Sequence, residues 1–194
     1  MKICVFGASS AHIDDKYIEI VEKLGEAMAK RGHSLVFGAG GTGLMGAAAR
    51  GVKRGGGYIH GVVPTFFKEN GVEILYDKCD KMTYTETMRE RKAIMEDDAD
   101  AFIVVPGGVG TFEEFFEIVT LKQLNRHDKA IAVLNVDNYY DELEVFMKTA
   151  CERKFITKSC LTLYSIFEDI DSILDYLETY VPQRVHFSRT KLGD

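Results

Sequence analysis

Short apolar runs alternate along the chain with longer segments in which apolar residues return every three or four positions. The runs read as strands buried on both faces, and the periodic segments as helices lying on a sheet. This pattern predicts strands over 3–6, 34–37, 58–63, 101–105, 130–135 and 161–166. The first helix carries Ile18, Val21, Leu24, Gly25 and Met28 on its inner stripe, with Gly32 as its stop. An alanine-rich helix follows and ends at Arg54, and further helices cover 86–98, 139–151, 169–180 and the stretch behind Gly110. Pro64 stops the third strand, and 65–80 reads as an irregular, mobile loop. Strands and helices alternating at this rhythm predict an α/β doubly wound fold, with a mostly parallel sheet and helices on both faces. No repeat or linker divides the chain, so 1–181 is expected to form one domain and 182–194 a tail without a clear period.

In such Rossmann-like folds ligands sit at the carboxyl ends of strands, beside the reversal of strand order. Three glycine-rich turns fall at strand ends: Gly7-Ala8-Ser9-Ser10, the run from Gly38 to Gly46, and Pro106-Gly107-Gly108-Val109-Gly110-Thr111. The third separates the apolar run Ala101-Phe102-Ile103-Val104-Val105 from a helix bearing Phe115, Ile118 and Val119, so it leads into a helix N-terminus. Such an end, with free N–H groups and a positive dipole, favours a phosphate or another anion. The same residues also fit a plain capping box, with Thr111 at the N-cap and Glu114 reaching back. Gly38-x-Gly40-x-x-Gly43 matches the dinucleotide fingerprint in form only. It follows the second strand, and the next strand ends without the acid that would hold a ribose.

A net charge of -6 argues against a nucleic-acid partner, and no apolar run approaches the length of a membrane span. Cys4, Cys79, Cys151 and Cys160 are scattered, and the N-terminus runs straight into a strand, so a reduced, cytoplasmic protein is expected. The histidines have no metal or triad spacing. Met88, Arg91, Lys92 and Met95 share one helical stripe, which places two cations on the buried side. That is costly unless they snorkel to the surface along their apolar stems or, as favoured here, meet an anion, either a ligand phosphate or the carboxylates near Glu114. Arg89 and Glu90 face elsewhere and are expected to be solvated. Glu69 stands out by position alone.

The run Pro106-Gly107-Gly108-Val109-Gly110-Thr111-x-x-Glu114 resembles the signature of the Lonely Guy family, cytokinin riboside 5′-monophosphate phosphoribohydrolases often mislabelled lysine decarboxylases. Gly7 to Ser10, Gly40 to Gly46, Arg91-Lys92, and Leu134 to Asp137 with Tyr139-Tyr140 follow in the family's order. The resemblance implies hydrolysis of the N-glycosidic bond of a nucleoside 5′-monophosphate, AMP or N6-prenylated AMP, without metal or organic cofactor, by a homodimer or larger assembly. It makes Arg91 and Glu114 the catalytic pair, with Arg91 holding Glu114 ionised. It places Glu69, Met88, Lys92, Gly107, Gly108, Val109, Gly110, Thr111, Phe112, Glu113, Thr120, Ser9, Gly40 and Gly41 against the nucleotide. The rival reading is a nucleotide or cofactor carrier on the same fold that binds without turnover. A pyridoxal phosphate decarboxylase finds no supporting arrangement of residues.

Overall fold

The computed structural model describes residues 1–69 and 74–182. Its strands are β1 (Lys2–Phe6), β2 (Ser34–Phe37), β3 (Ile59–Pro64), β4 (Lys81–Thr85), β5 (Ala101–Val104), β6 (Ala130–Leu134) and β7 (Ser165–Phe167). Its helices are α1 (Asp15–Lys30), α2 (Gly43–Arg54), α3 (Thr65–Glu69), α4 (Met88–Asp98), α5 (Val109–Gln123), α6 (Asp141–Glu152) and α7 (Ile170–Thr179). The strands form one sheet in the order β4-β3-β2-β1-β5-β6-β7, and every pairing is parallel. The order reverses at β1, which pairs with β2 on one side and β5 on the other, with Cys4 beside both Val36 and Phe102.

Side chains alternate across the strands, so each apolar run feeds two cores. Ile3, Val5, Leu35, Phe37 and Ile103 pack against α1, α2 and α7. Cys4, Phe6, Val36, Phe102 and Val104 pack on the opposite face against α4, α5 and α6. Burial on both sides explains why these strands read as continuous hydrophobic runs.

The sequence reading departs from the structure in four places. Residues 65–80 are not wholly irregular: α3 opens them, and β4 follows directly at Lys81. That edge strand escaped notice because Lys-Met-Thr-Tyr-Thr is polar and only Thr85 is buried. The expected strand over 161–166 is a 3-10 turn, Lys158–Thr162, followed by the short β7, and a second such turn, Val136–Asn138, precedes α6. The capping box sits on α4 rather than α5: Thr87 accepts from the Glu90 N–H, and the Glu90 carboxylate accepts from the Thr87 N–H. Glu90 is exposed, as expected, and caps the helix as well. Helix α5 starts at Val109 with Gly108 as N-cap, so Thr111 lies inside its first turn. Residues 183–194, most of the expected tail, lie outside the described residues.

Candidate active site

The carboxyl ends of β1 and β5 open into a cleft of about 370 Å³ at the reversal of strand order. Gly7, Ala8, Ser9 and Ser10 form one wall, and Gly108, Gly110, Thr111 and Glu114 the wall opposite. Met45, Phe67, Met88 and Arg91 close it with apolar surface and one cation.

The N-termini of α2, α4 and α5 all approach this cleft; that of α4 is closed by its own capping box, and the other two differ. At α2 the N–H groups of Leu44 and Met45 both donate to the Ala8 carbonyl, and the Thr42 hydroxyl donates to the Ser9 carbonyl. These contacts fasten the β1 turn and leave α2 little capacity for an anion. At α5 the cap is a glycine without a side-chain hydrogen bond, and the first turn holds no acid. An uncapped, uncharged N-terminus facing a cleft is where a phosphate is best accommodated. The loop behind it is braced from the β6–α6 connection. The Tyr139 hydroxyl donates to the Gly107 carbonyl at 2.5 Å, and the Tyr140 hydroxyl to the Val105 carbonyl at 2.8 Å. Gly107 must lack a side chain because a Cβ there would stand 2.1 Å from the Thr111 hydroxyl oxygen.

Arg91 is 5% exposed, and its guanidinium is fixed from several directions. Its Nε donates to the Val62 carbonyl at 3.3 Å, and its Cζ lies 5.9 Å from the Phe67 ring centroid. The group rests against the backbone at the end of β2, where a Cβ on Gly38 would fall 1.7 Å from Nη2. A further nitrogen, Nη1, lies 3.7 Å from Oε1 of Glu114, an ion pair longer than a hydrogen bond. The carboxylate is therefore held near the arginine without being consumed by it. Burial pushes the Glu114 pKa up to about 7, and the pull of Arg91 in the other direction is the smaller effect. Arg91 does not by itself keep Glu114 fully ionised, contrary to the sequence expectation.

The remaining candidates divide by position. Ser9, Met88, Gly108, Gly110 and Thr111 line the cleft with the catalytic candidates. Lys92 points along the α4–α5 seam and pairs with Glu113 and Glu117, so both stripe cations meet carboxylates of α5. Val109 is 84% exposed at the start of α5, and half-buried Phe112 packs edge-on against Tyr140. Thr120 lies on the exposed face of α5, about 9 Å along the axis from Glu114. Gly40 and Gly41 pair with the backbone of Ile74 and Leu75, outside the cleft lining. Glu69 ends α3, and its side chain is outside the described residues. Phe67 was missed because it sits in what read as a loop, and Gly38 because nothing in the sequence ties it to Arg91. Among the described residues no group of three or more His, Cys, Asp or Glu could hold a metal ion.

Residues 45–177, more than half the chain, match the family model described as "Possible lysine decarboxylase". Among curated proteins, "Cytokinin riboside 5'-monophosphate phosphoribohydrolase LOG2" of Arabidopsis thaliana is 36% identical over 193 residues, 100% of this chain and 90% of its own. "Probable cytokinin riboside 5'-monophosphate phosphoribohydrolase LOGL5" of Oryza sativa is 38% identical over 93% of this chain and 73% of its own. Among solved structures, the molybdenum cofactor carrier protein of Chlamydomonas reinhardtii superposes with a TM-score of 0.68 over 91% of this chain and 95% of its own. At 22% identity that likeness concerns the fold alone. With its signature turn at the head of α5, its Arg91–Glu114 pair and relatives that match 93% to 100% of its length, the chain belongs to the Lonely Guy family.

Proposed function

We propose that this chain is a phosphoribohydrolase of nucleoside 5′-monophosphates, with AMP and N6-prenylated AMP as the substrate class. The observation that carries the reading is a buried carboxylate titrating near neutrality, 3.7 Å from a fixed arginine, beside an uncapped helix N-terminus. The 5′-phosphate would rest on the N–H groups at the head of α5, with the Ser9–Ser10 turn opposite. Met45, Phe67 and Met88 offer apolar surface to the base. Breaking the C1′–N bond develops positive charge on the ribose, which the Glu114 carboxylate stabilises. Glu114 also takes a proton from water as its oxygen bonds to C1′; the departing base nitrogen takes a proton from solvent and Glu114 returns its own, so one water is consumed and no net proton. The products are free base and ribose 5-phosphate. Arg91 orients Glu114 and draws the proton-transfer equilibrium toward the ionised form. Remote binding of the phosphate then serves the reacting centre. The relatives' names support this chemistry, and family resemblance extends the proposal to a homodimer, which light scattering would test.

The test is chromatographic measurement of base release from AMP and N6-isopentenyl-AMP. Release by the native protein, lost in Glu114→Gln and in Arg91→Met, supports the assignment. A folded protein that binds AMP and releases no base is instead a carrier.

A further inference from the structure

Lys122 occupies the last turn of α5, about 20 Å along the helix from the cleft end. A lysine at a helix surface normally runs its stem over apolar neighbours and keeps its ammonium in water. Lys122 does not: it is 4% exposed, and among the described residues its Nζ has no hydrogen-bond partner. Instead the ammonium lies 4.8 Å from the ring centroid of Tyr180. A buried cation without an anionic partner is costly, and buried polar groups are otherwise nearly always satisfied. The cost shows in its titration, which burial lowers to about 8 while Asp128 pulls weakly the other way.

The same lysine lines a cavity of about 510 Å³ bounded by the end of α5, the segment leading into β7 and the end of α7. Hydroxyl-bearing Thr162, Tyr164 and Tyr176 alternate with Leu161 and Leu163 around it, and no carboxylate belongs to the described lining. Among the described residues the cavity thus presents one cation, several hydroxyls and ring faces, and no counter-ion. We propose that it is a second binding site, for a small organic monoanion whose carboxylate pairs with Lys122 and whose apolar body lies among the tyrosines and leucines. A bare phosphate dianion fits less well, because the described lining offers a single cation and no helix N-terminus to share the second charge. The site stands apart from the cleft and does not depend on the proposed hydrolysis.

Benzoate serves as the probe, titrated calorimetrically into the full chain, with inorganic phosphate at matched ionic strength as competitor. One benzoate per chain should bind at roughly millimolar affinity or tighter. Lys122→Met, which keeps the side-chain volume and removes the charge, should weaken it about tenfold or more, as expected for a charge-assisted pair. Lys122→Gln should do the same if the methionine variant folds poorly. Amine resonances of selectively labelled lysines should move at Lys122, and AMP hydrolysis should be unchanged in both variants. No benzoate binding by the native chain, equal binding by both variants, or displacement by phosphate would each overturn the proposal. A change in assembled mass in place of a change in benzoate binding would overturn it too, by assigning Lys122 to a contact between copies.

Discussion

Replacing Glu114 by glutamine separates chemistry from architecture in one variant. Glutamine mimics the protonated carboxyl, so the two proteins should be nearly equally stable at pH 4, where the native side chain carries its proton whether folded or unfolded. Burial raises the folded pKa from 4.5 to about 7, so the folded state holds this proton more tightly than the unfolded chain. Stability contributed by Glu114 therefore falls as pH rises from about 4.5 to about 7, and the penalty is complete above that window. At about 1.4 kcal/mol per pKa unit, the penalty is roughly 3 kcal/mol at pH 8. Urea unfolding of both proteins from pH 4 to pH 8 should show the glutamine variant gaining that advantage progressively. Glu96, whose pKa burial also raises to about 7, titrates in both proteins and cancels from the difference. Activity should move in the opposite direction: the native rate rises with pH through about 7 as the base ionises, and the variant falls by roughly 10² to 10⁴. A stability difference that stays flat with pH would refute the burial argument. A folded variant that keeps most of its activity would refute the catalytic one.

Three further variants probe the scaffold of the cleft. Gly38→Ala would set a methyl group against the Arg91 guanidinium, and the displaced arginine should cost roughly 10²-fold in kcat/KM for AMP with little loss of secondary structure by circular dichroism. Tyr139→Phe removes the hydroxyl that holds the Gly107 carbonyl, so KM for AMP should rise several-fold while kcat changes less than about twofold. Tyr140→Phe strands a carbonyl in the core beside β5 and should lower unfolding free energy by about 1–2 kcal/mol in urea.

The sheet and its helices were legible where burial is two-sided. Phe102 to Val104 and Ile131 to Val133 can only be interior, and Gly107 and Gly108 mark the turn after the first of them. Edge strands are harder: β4 presents Lys81, Thr83 and Tyr84 to its surroundings, so no apolar pattern betrays it. The catalytic stripe was legible because two cations among methionines demand a counter-charge, and Glu113, Glu114 and Glu117 supply it. The start of α5 was not. Thr87-x-x-Glu90 and Thr111-x-x-Glu114 are the same local signal, and only tertiary contacts separate them. Glu90 is free to close its box, while Glu114 turns toward Arg91. Lys122 was equally hidden, since nothing in its neighbours along the chain reveals that Tyr180 will cover it.

The central place of β1 also shapes how the molecule comes into being. Residue 4 pairs with residue 102, so β1 leaves the ribosome well before its partner β5 and is completed only after about a hundred further residues have followed. The β1–β4 wing can assemble from contacts close in sequence, but it supplies only the Gly7–Ser10 wall of the cleft with Met45 and Phe67, and not the wall that carries Glu114. Closing the β1–β5 seam demands the long loop closure that slows folding of parallel sheets. The helix head and Glu114 arrive with that step. Recovery of activity after dilution from denaturant should therefore follow the slowest phase of refolding, behind the return of helical signal, and a fragment ending before β5 should fold in part and catalyse nothing.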